Sequence, residues 1–467
     1  MLGPRRAYTI GAGSVLLSRA TSALAGVISL WFLSRILNTD DFANYVVTMS
    51  IVMLGGYLAG LGLERSMLLR IAELQTRPGL LLGRGLMLKI AAAVLILSIF
   101  AATGLFLFFT EQVASEGLDK WVKWMTPIVP ATALSLVLIA WFRANHMVAT
   151  SELMQGLIDG TRCLLMIGIL LFGMGPHWVA TAAVVAAIVP LAVLTICASG
   201  NSTNAPDDFR LRDVSYGLQF LLIRVSQMGL NQFGIIAVGL WAASIEAAQF
   251  AVVTRLVALA AVGQMAFSST YSVRLRTNLA KKDHAAIARE FSTSRSIAYL
   301  ITLAAAVLFH VFGVAALRTF GNFTNGYTAL LILMAGQLAF VSFGLNIQHL
   351  SMTSNLKVAV YIRISSTALF VALLFILVPA FSDIGAALSF LIANLCLSVA
   401  RALALHRCGG PVTFPIPYVA SIFGSIIGPN RTISDRTEQG ALITQRDVCV
   451  HEKALHDVVY DKTCRTD

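Results

Sequence analysis

The segment IGAGSVLLSRATSALAGVISLWFLS, residues 10–34, carries one charged residue, Arg19, among apolar and small side chains. A helix needs about 20 predominantly apolar residues to cross the hydrocarbon of a bilayer. Segments of this kind recur along the chain, and they predict spans at 10–34, 42–63, 86–110, 124–142, 157–174, 177–199, 216–241, 246–268, 295–317, 327–349, 358–380 and 383–405. We therefore expect an all-α integral membrane protein with about twelve transmembrane helices.

The overall composition excludes a water-soluble fold. Of the 467 residues, 57% are hydrophobic and 12% are charged, and the mean hydropathy is +0.79. Soluble domains carry about 25% charged residues. The apolar segments are also too long and too uniform for the roughly ten-residue alternating strands of a membrane barrel, so the composition predicts a helical bundle.

The basic residues are distributed unevenly between the connections. The connections on one side of the predicted membrane carry most of the arginine and lysine residues, whereas those on the other side carry only Arg35, Lys120, Lys123 and Arg318. Basic connections stay in the cytosol, so the N-terminus is predicted to be cytosolic, and an even number of spans returns the C-terminus there. The net charge of +11 is thereby explained by topology, and we expect no nucleic-acid partner.

An internal repeat divides the chain. Residues 16–19 (LLSR) recur as residues 221–224 (LLIR), and residues 46–48 (VVT) recur as residues 252–254, at an offset of about 205. A duplication of six spans predicts two six-helix repeats of the same orientation around a central cavity. The expected domains are an N-terminal six-helix lobe (1–199), a cytosolic linker (200–214), a C-terminal six-helix lobe (215–405) and a cytosolic, partly interfacial tail (406–467).

Charged and polar residues within the spans are the candidate functional residues. An arginine at the centre of a span costs at least ~2.5 kcal/mol to insert and usually faces the bundle interior or a wet cavity. Ser22 follows Arg19 at helical spacing, and Gln227 and Asn231 follow Arg224 in the same way. The predicted substrate-binding residues are Arg19, Arg224, Arg255, Gln227, Asn231 and Ser22. The alternatives are that the arginines snorkel to the membrane surface and that the amides bond neighbouring helices.

The acidic residues all lie at span ends or in loops by the predicted boundaries. Asp159 and Arg162 stand one helical turn apart, and we expect them to pair near the membrane surface. Because a cation transporter would need a carboxylate within a span, the sequence predicts a cavity that prefers anions. The external connections are too short to hold catalytic machinery, and the tail residues Cys449, His451, His456 and Cys464 are poorly spaced for a metal. No enzyme activity, metal or cofactor is expected.

Two short stretches carry a family resemblance. Residues 34–45 (SRILNTDDFANY) and 61–67 (LGLERSM) resemble the polysaccharide-transporter branch of the multidrug/oligosaccharidyl-lipid/polysaccharide flippase superfamily, which includes the O-antigen and exopolysaccharide repeat-unit flippases. The resemblance covers roughly residues 8 to 405. It implies a two-lobed protein that moves polyprenyl-diphosphate-linked oligosaccharide outward by alternating access.

The resemblance also implies partners and a location. They are the polyprenyl-diphosphate-linked oligosaccharide itself, membrane lipids, and polysaccharide polymerase and export proteins, at the bacterial cytoplasmic (inner) membrane. Arg19, Arg224 and Arg255 match cationic cavity positions of the lipid-flipping branches and would receive the diphosphate. Two alternatives remain: a cation or drug antiporter on the same fold, which should have a mid-span carboxylate, and a membrane polysaccharide polymerase or ligase, which should have a large external loop.

Overall fold

The computed structural model describes residues 4–63, 81–82, 84–112, 116–145, 147–198, 202–203, 211–280, 283–321, 323–352 and 356–407. The side chains of some helical residues, including all those before Ala20, also lie outside this description. The predicted tail from residue 408 onward and most of the predicted linker at 200–214 are therefore outside the described residues.

Long helices account for almost all of the described chain. In order they are α1 (Pro4–Ile36), α2 (Thr39–Ala59), α3 (Arg84–Gln112), α4 (Glu116–Met125), α5 (Ile128–Ala144), α6 (Val148–Leu171), α7 (Pro176–Ala198), α8 (Leu211–Trp241), α9 (Ser244–Ala280), α10 (His284–Thr319), α11 (Tyr327–Ser342), α12 (Asn346–Met352) and α13 (Leu356–Arg407). A 3₁₀ turn, Thr324–Gly326, precedes α11, and the two-residue strands β1 (Leu81–Leu82) and β2 (Ser202–Thr203) pair in parallel.

Local signals fix several helix ends. Asn38 precedes α2, and its side chain accepts a hydrogen bond of 2.7 Å from the backbone N–H of Asp41, which satisfies one of the free donors of the first turn. Asp283 does the same for α10 through the N–H of Ala286. In the middle of α13, Ser382 has φ 51° and ψ −125°, so this residue breaks the element into two helical halves.

The predicted all-α membrane fold is confirmed. Each of the twelve predicted spans falls on one of these helices, with the last two on the two halves of α13. Within the described ranges, seven helices are long and apolar enough to cross a membrane by themselves, and eight are when α4 and α5, bent by 41°, form one span. Several helix bounds differ from the predicted spans: the helix of the fifth predicted span begins at Val148 rather than 157, and that of the tenth ends at Ser342 rather than 349.

The helices pack in corresponding pairs. Helix α1 packs against α6, and its counterpart in the predicted repeat, α8, packs against α13; likewise α1 contacts α9 and α2 contacts α8. One buried apolar cluster runs through both halves and includes Phe42, Val47, Trp121, Phe250 and Phe370. The division into lobes at 199 and 215 stays a prediction.

Large apolar side chains cover parts of the outer surface. Phe100 on α3 is 80% exposed, and Ile96, Phe312 and Ile376 are exposed on α3, α10 and α13. A soluble protein rarely presents so much apolar surface, but lipid chains are a favourable neighbour for it. The exterior of the bundle therefore suits hydrocarbon, and polar groups are held inside.

Candidate substrate cavity

The interior of the bundle holds a cavity of ≈ 380 Å³ that is lined by α2, α5, α6, α7, α8, α9, α11 and α13. Both predicted halves of the chain contribute to its wall. Among the described side chains, its charged lining consists of Arg143, Asp159, Arg162, Arg224 and Arg255. The cavity wall therefore carries more positive than negative charge.

Arg224 lies on α8 and lines the cavity opposite α2. Its guanidinium carbon lies 4.9 Å from the centre of the Tyr57 ring, which also lines the cavity. The Nε–H of Arg224 is buried and has no hydrogen-bond partner among the described residues. A cation held against an aromatic face in this way keeps its donors available to a ligand.

Arg255 lies on α9, and its side chain is exposed to the interior of the cavity while the surrounding helices enclose it. Asp159, Arg162 and Tyr45 are close enough to interact electrostatically with its guanidinium. Since α9 belongs to the second predicted half and these three residues to the first, Arg255 carries a positive charge across the boundary between the halves.

The position of Asp159 differs from the one predicted from the sequence. It was expected at a span end near the membrane surface, but α6 begins at Val148, so Asp159 sits in the middle of that helix and lines the cavity. Its carboxylate accepts a hydrogen bond from the hydroxyl of Ser22, and its other oxygen lies 4.0 Å from Nη1 of Arg162. The carboxylate thus has two partners on its own side of the cavity.

The remaining predicted site residues are placed differently. Asn231 lines the cavity, whereas Gln227 is exposed and is not part of its lining. Ser22 is not part of the lining either, and it acts on the cavity through Asp159. The side chain of Arg19 lies outside the described side chains.

The uncharged lining is amphiphilic. Phe250, Phe370 and Phe390 contribute aromatic surface, and Gln337 contributes an amide whose Nε2 donates a 3.0 Å hydrogen bond to Oε1 of Gln264. Amide and hydroxyl groups suit hydroxyl-rich ligands, and ring faces suit their apolar faces. The cavity can hold a molecule that combines charge, polar groups and apolar surface.

The two ends of the bundle differ. At the predicted external end, Nη2 of Arg35 donates a 3.1 Å hydrogen bond to the carbonyl of Thr319, and the rings of Phe42 and Phe323 stack with centroids 6.1 Å apart. These contacts join the first predicted half of the chain to the second. The cavity lies nearer the predicted cytosolic end of the bundle. It is lined there by Tyr57, near the end of α2, and by Arg143, near the end of α5.

The same fold is found in solved structures. An inward-facing multidrug resistance MATE transporter of the MOP superfamily superposes with a TM-score of 0.67 at 16% identity, over 84% of this chain and 97% of that chain. The fold is that of MATE transporters. An outward-facing MATE structure gives 0.55 at 14% identity over 85% and 95% of the two chains, and a variant of the Vibrio cholerae MATE transporter VcmN gives 0.58 at 16% over 85% and 98%.

The resemblance noted in the sequence is thus matched at the level of the fold, while the polysaccharide branch stays a prediction. No protein-family model and no curated relative matches the chain.

Sequence reasoning missed Tyr57, Arg143 and the cavity position of Asp159 and Arg162. The sequence signal for the last two was weak, because the first turns of α6 after Val148 are polar (VATSELMQ) and resemble a loop, so both charges seemed to lie at the end of a span. Tyr57 and Arg143 lie near helix ends, where a polar side chain is common, and only tertiary packing turns them toward the cavity.

Proposed function

We propose that the protein is an alternating-access membrane transporter that moves a polyprenyl-diphosphate-linked oligosaccharide from the cytosolic to the periplasmic leaflet for surface polysaccharide synthesis. One observation carries the proposal: Arg143, Arg162, Arg224 and Arg255 line the central cavity against a single described carboxylate, Asp159. A central cavity with this charge balance attracts an anion.

The charge balance matters because the cavity lies within the predicted membrane. Unpaired guanidinium groups are costly there unless water or a counter-charge reaches them. Arg143 already donates from Nε to the hydroxyl of Ser151, and Asp159 engages Ser22 and Arg162, so the proposal depends most on Arg224 and Arg255. A diphosphate offers oxygens in the planar arrangement that arginine binds with paired hydrogen bonds. The arginines would receive the diphosphate, and the lipid tail would stay in the bilayer.

The neutral lining supports the sugar part of this substrate. Asn231 and Gln337 offer amides, and Phe370 and Phe390 offer ring faces, on the side of the cavity formed by the second half of the chain. An inside-negative membrane potential favours outward movement of an anion by ~2.3 kcal/mol per charge per 100 mV. Ion coupling is therefore not obligatory for this substrate.

A second candidate is a cation or drug antiporter. It is supported by Asp159, which lies in the cavity where the sequence analysis expected no carboxylate, and by the fold shared with transporters described as multidrug resistance MATE proteins. In that case Asp159 would exchange a proton or metal cation for an organic cation, and the four arginines would oppose the binding of the substrate. The two candidates require opposite charge selectivity.

Reconstituted vesicles distinguish the two candidates. The purified full chain is placed in proteoliposomes with a fluorescent short-chain polyprenyl-diphosphate disaccharide, and a membrane-impermeant quencher reports the leaflet. We expect wild-type protein to accelerate its transfer, and Arg224→Gln and Arg255→Gln to slow that transfer by at least about tenfold, since each removes a charge-assisted contact. Arg289→Gln, which changes an exposed arginine outside the cavity, is the matched control and should transfer at the wild-type rate.

The same vesicles are tested with a fluorescent lipophilic cation under a pH gradient. Cation efflux that is abolished by Asp159→Asn, together with no acceleration of the diphosphate lipid, would establish the antiporter. Transfer of the lipid that is equal in wild type and both cavity arginine variants would also contradict the proposal.

A further inference from the structure

A second, smaller chamber adjoins the central cavity and has a volume of ≈ 40 Å³. It lies between α1, α2, α6, α8 and α9, and Asp159, Arg162 and Arg255 line both spaces. A space of about 10–15 Å³ on this measure holds one water-sized ligand. The chamber therefore has room for a small ion and not for a diphosphate or a sugar.

Three buried polar side chains line this chamber. Each of them has one polar atom without a hydrogen-bond partner in the described part of the chain. These are the hydroxyls of Ser29 and Tyr45 and the Nε–H of Arg162. Ser29 and Tyr45 are each 3% exposed and Arg162 is 8% exposed. Leaving such groups unpaired costs roughly 1–3 kcal/mol each, and all three residues line the same small space, which points to a ligand there.

All three groups can donate, and the guanidinium can only donate. The charges also favour an anion, because the described lining carries two guanidinium groups and one carboxylate. One monovalent anion would balance the remaining charge and accept the three hydrogen bonds. A water molecule would accept some of these bonds but would leave the charge uncompensated.

We propose that this chamber is a binding site for a halide-sized inorganic anion, held by Ser29, Tyr45 and Arg162. The ion is separate from the transported substrate and lies at the junction of the two halves, since Arg255 reaches the chamber from α9. Its role is to neutralise Arg162 on α6 and Arg255 on α9, which both line the chamber, when the central cavity is closed at the predicted external end.

Ser50 provides a matched control inside the same chamber. It also lines the space, but its hydroxyl already donates a 2.9 Å hydrogen bond to the carbonyl of Val46 on its own helix. Its proton is therefore unavailable to a ligand. Ser29→Ala and Ser50→Ala each remove one serine hydroxyl from the lining of the same chamber, and only the first should weaken anion binding.

The test is a halide titration of the purified full chain in detergent without lipid substrate. Chloride or bromide replaces gluconate at constant ionic strength, and the thermal unfolding midpoint is recorded. We expect a saturable rise of the midpoint with either halide, and an apparent affinity about tenfold weaker in Ser29→Ala and Tyr45→Phe. Ser50→Ala should match wild type.

Arg224→Gln tests whether the ion binds in the larger cavity instead. Arg224 lines that cavity and not the chamber, so the variant should keep the wild-type halide affinity. Equal unfolding midpoints in chloride and gluconate would show that the chamber holds water only and would overturn the inference. Loss of affinity in Arg224→Gln, or equal loss in Ser50→Ala and Ser29→Ala, would overturn it as well, and none of these results depends on whether the protein flips a lipid.

Discussion

His349 and Tyr271 form a buried contact outside the apolar windows of the spans. The Tyr271 hydroxyl lies 3.1 Å from Nδ1 of His349, and His349 is 7% exposed. Burial lowers the pKa of His349 and raises the pKa of Tyr271. The structure therefore favours a neutral imidazole at this position.

Stability should fall with acid because of His349. In the unfolded chain a histidine titrates near pH 6.5, so as the pH falls below about 6.5 the unfolded state gains a proton before the folded state does. We expect the free energy of unfolding to be constant above about pH 7 and to decrease below about pH 6.5, by at most ~1.4 kcal/mol per pH unit. His349→Gln should flatten this decrease in thermal unfolding scans between pH 7.5 and 5.5.

His406 is the control for this measurement. It lies exposed near the end of α13, and His406→Gln should keep the wild-type dependence on pH. An unchanged acid slope in His349→Gln would show that another group controls stability in this range.

The cavity residues show which single positions can be predicted from sequence. Arg224 and Arg255 stand out because an arginine within an apolar segment demands a polar environment, and both line the cavity. Gln227 follows Arg224 at helical spacing but is not part of the cavity lining, so spacing along one helix does not decide by itself which side chains reach the cavity. Asp159 was misplaced because the polar residues that follow Val148 made the start of the span look like a loop.

At the scale of the element, the break in α13 brings two helical halves together. Ser382 adopts φ 51°, and after the break the backbone of Gly385 approaches the carbonyl of Leu377 so closely that an added Cβ would lie 2.1 Å from the oxygen. Asp383, also at the break, accepts a 2.7 Å hydrogen bond from Nε2 of Gln249 on α9. These contacts fix the position of the second half of α13.

Gly385→Ala should therefore destabilise the protein. The added methyl group meets backbone atoms that cannot rotate away, and overpacking of this kind costs about 1–3 kcal/mol. Gly168→Ala on α6 is a control of opposite sign, because its Cβ would meet nothing within 4 Å and alanine favours a helix by about 0.5–1 kcal/mol. In detergent, the thermal unfolding midpoint of Gly385→Ala should lie below that of wild type, and the midpoint of Gly168→Ala should equal or exceed it. The reverse order would contradict the close approach of Gly385 to Leu377.

Element boundaries were the weakest part of the sequence prediction. Hydropathy locates the apolar centre of a span well, but α9 and α10 extend beyond their predicted ends as polar helical turns. The segment at 111–123, expected as a connection, contains most of α4, whose Trp121 Nε1 donates to the Asp41 carboxylate at 3.1 Å. Such contacts depend on residues that are distant in sequence, and the hydrophobic periodicity of one segment does not reveal them.

At the scale of the whole molecule, the fold could be predicted because membrane insertion leaves few choices. Long apolar segments must be helical, and a repeated set of spans must pack around an internal axis. The corresponding pairs α1 with α6 and α8 with α13 agree with that expectation. The shape and charge of the cavity could not be predicted, because its wall combines residues from several helices whose rotation is set by packing.

The central claim is that the cavity selects an anion through its arginines. The most direct measurement compares the affinity of the purified protein for a short-chain polyprenyl diphosphate with its affinity for the polyprenol of the same length. We expect the diphosphate to bind at least about tenfold more tightly, and the Arg224→Gln and Arg255→Gln double variant to lose this difference. Equal affinity for the two lipids, or a preference that survives in the double variant, would contradict the claim.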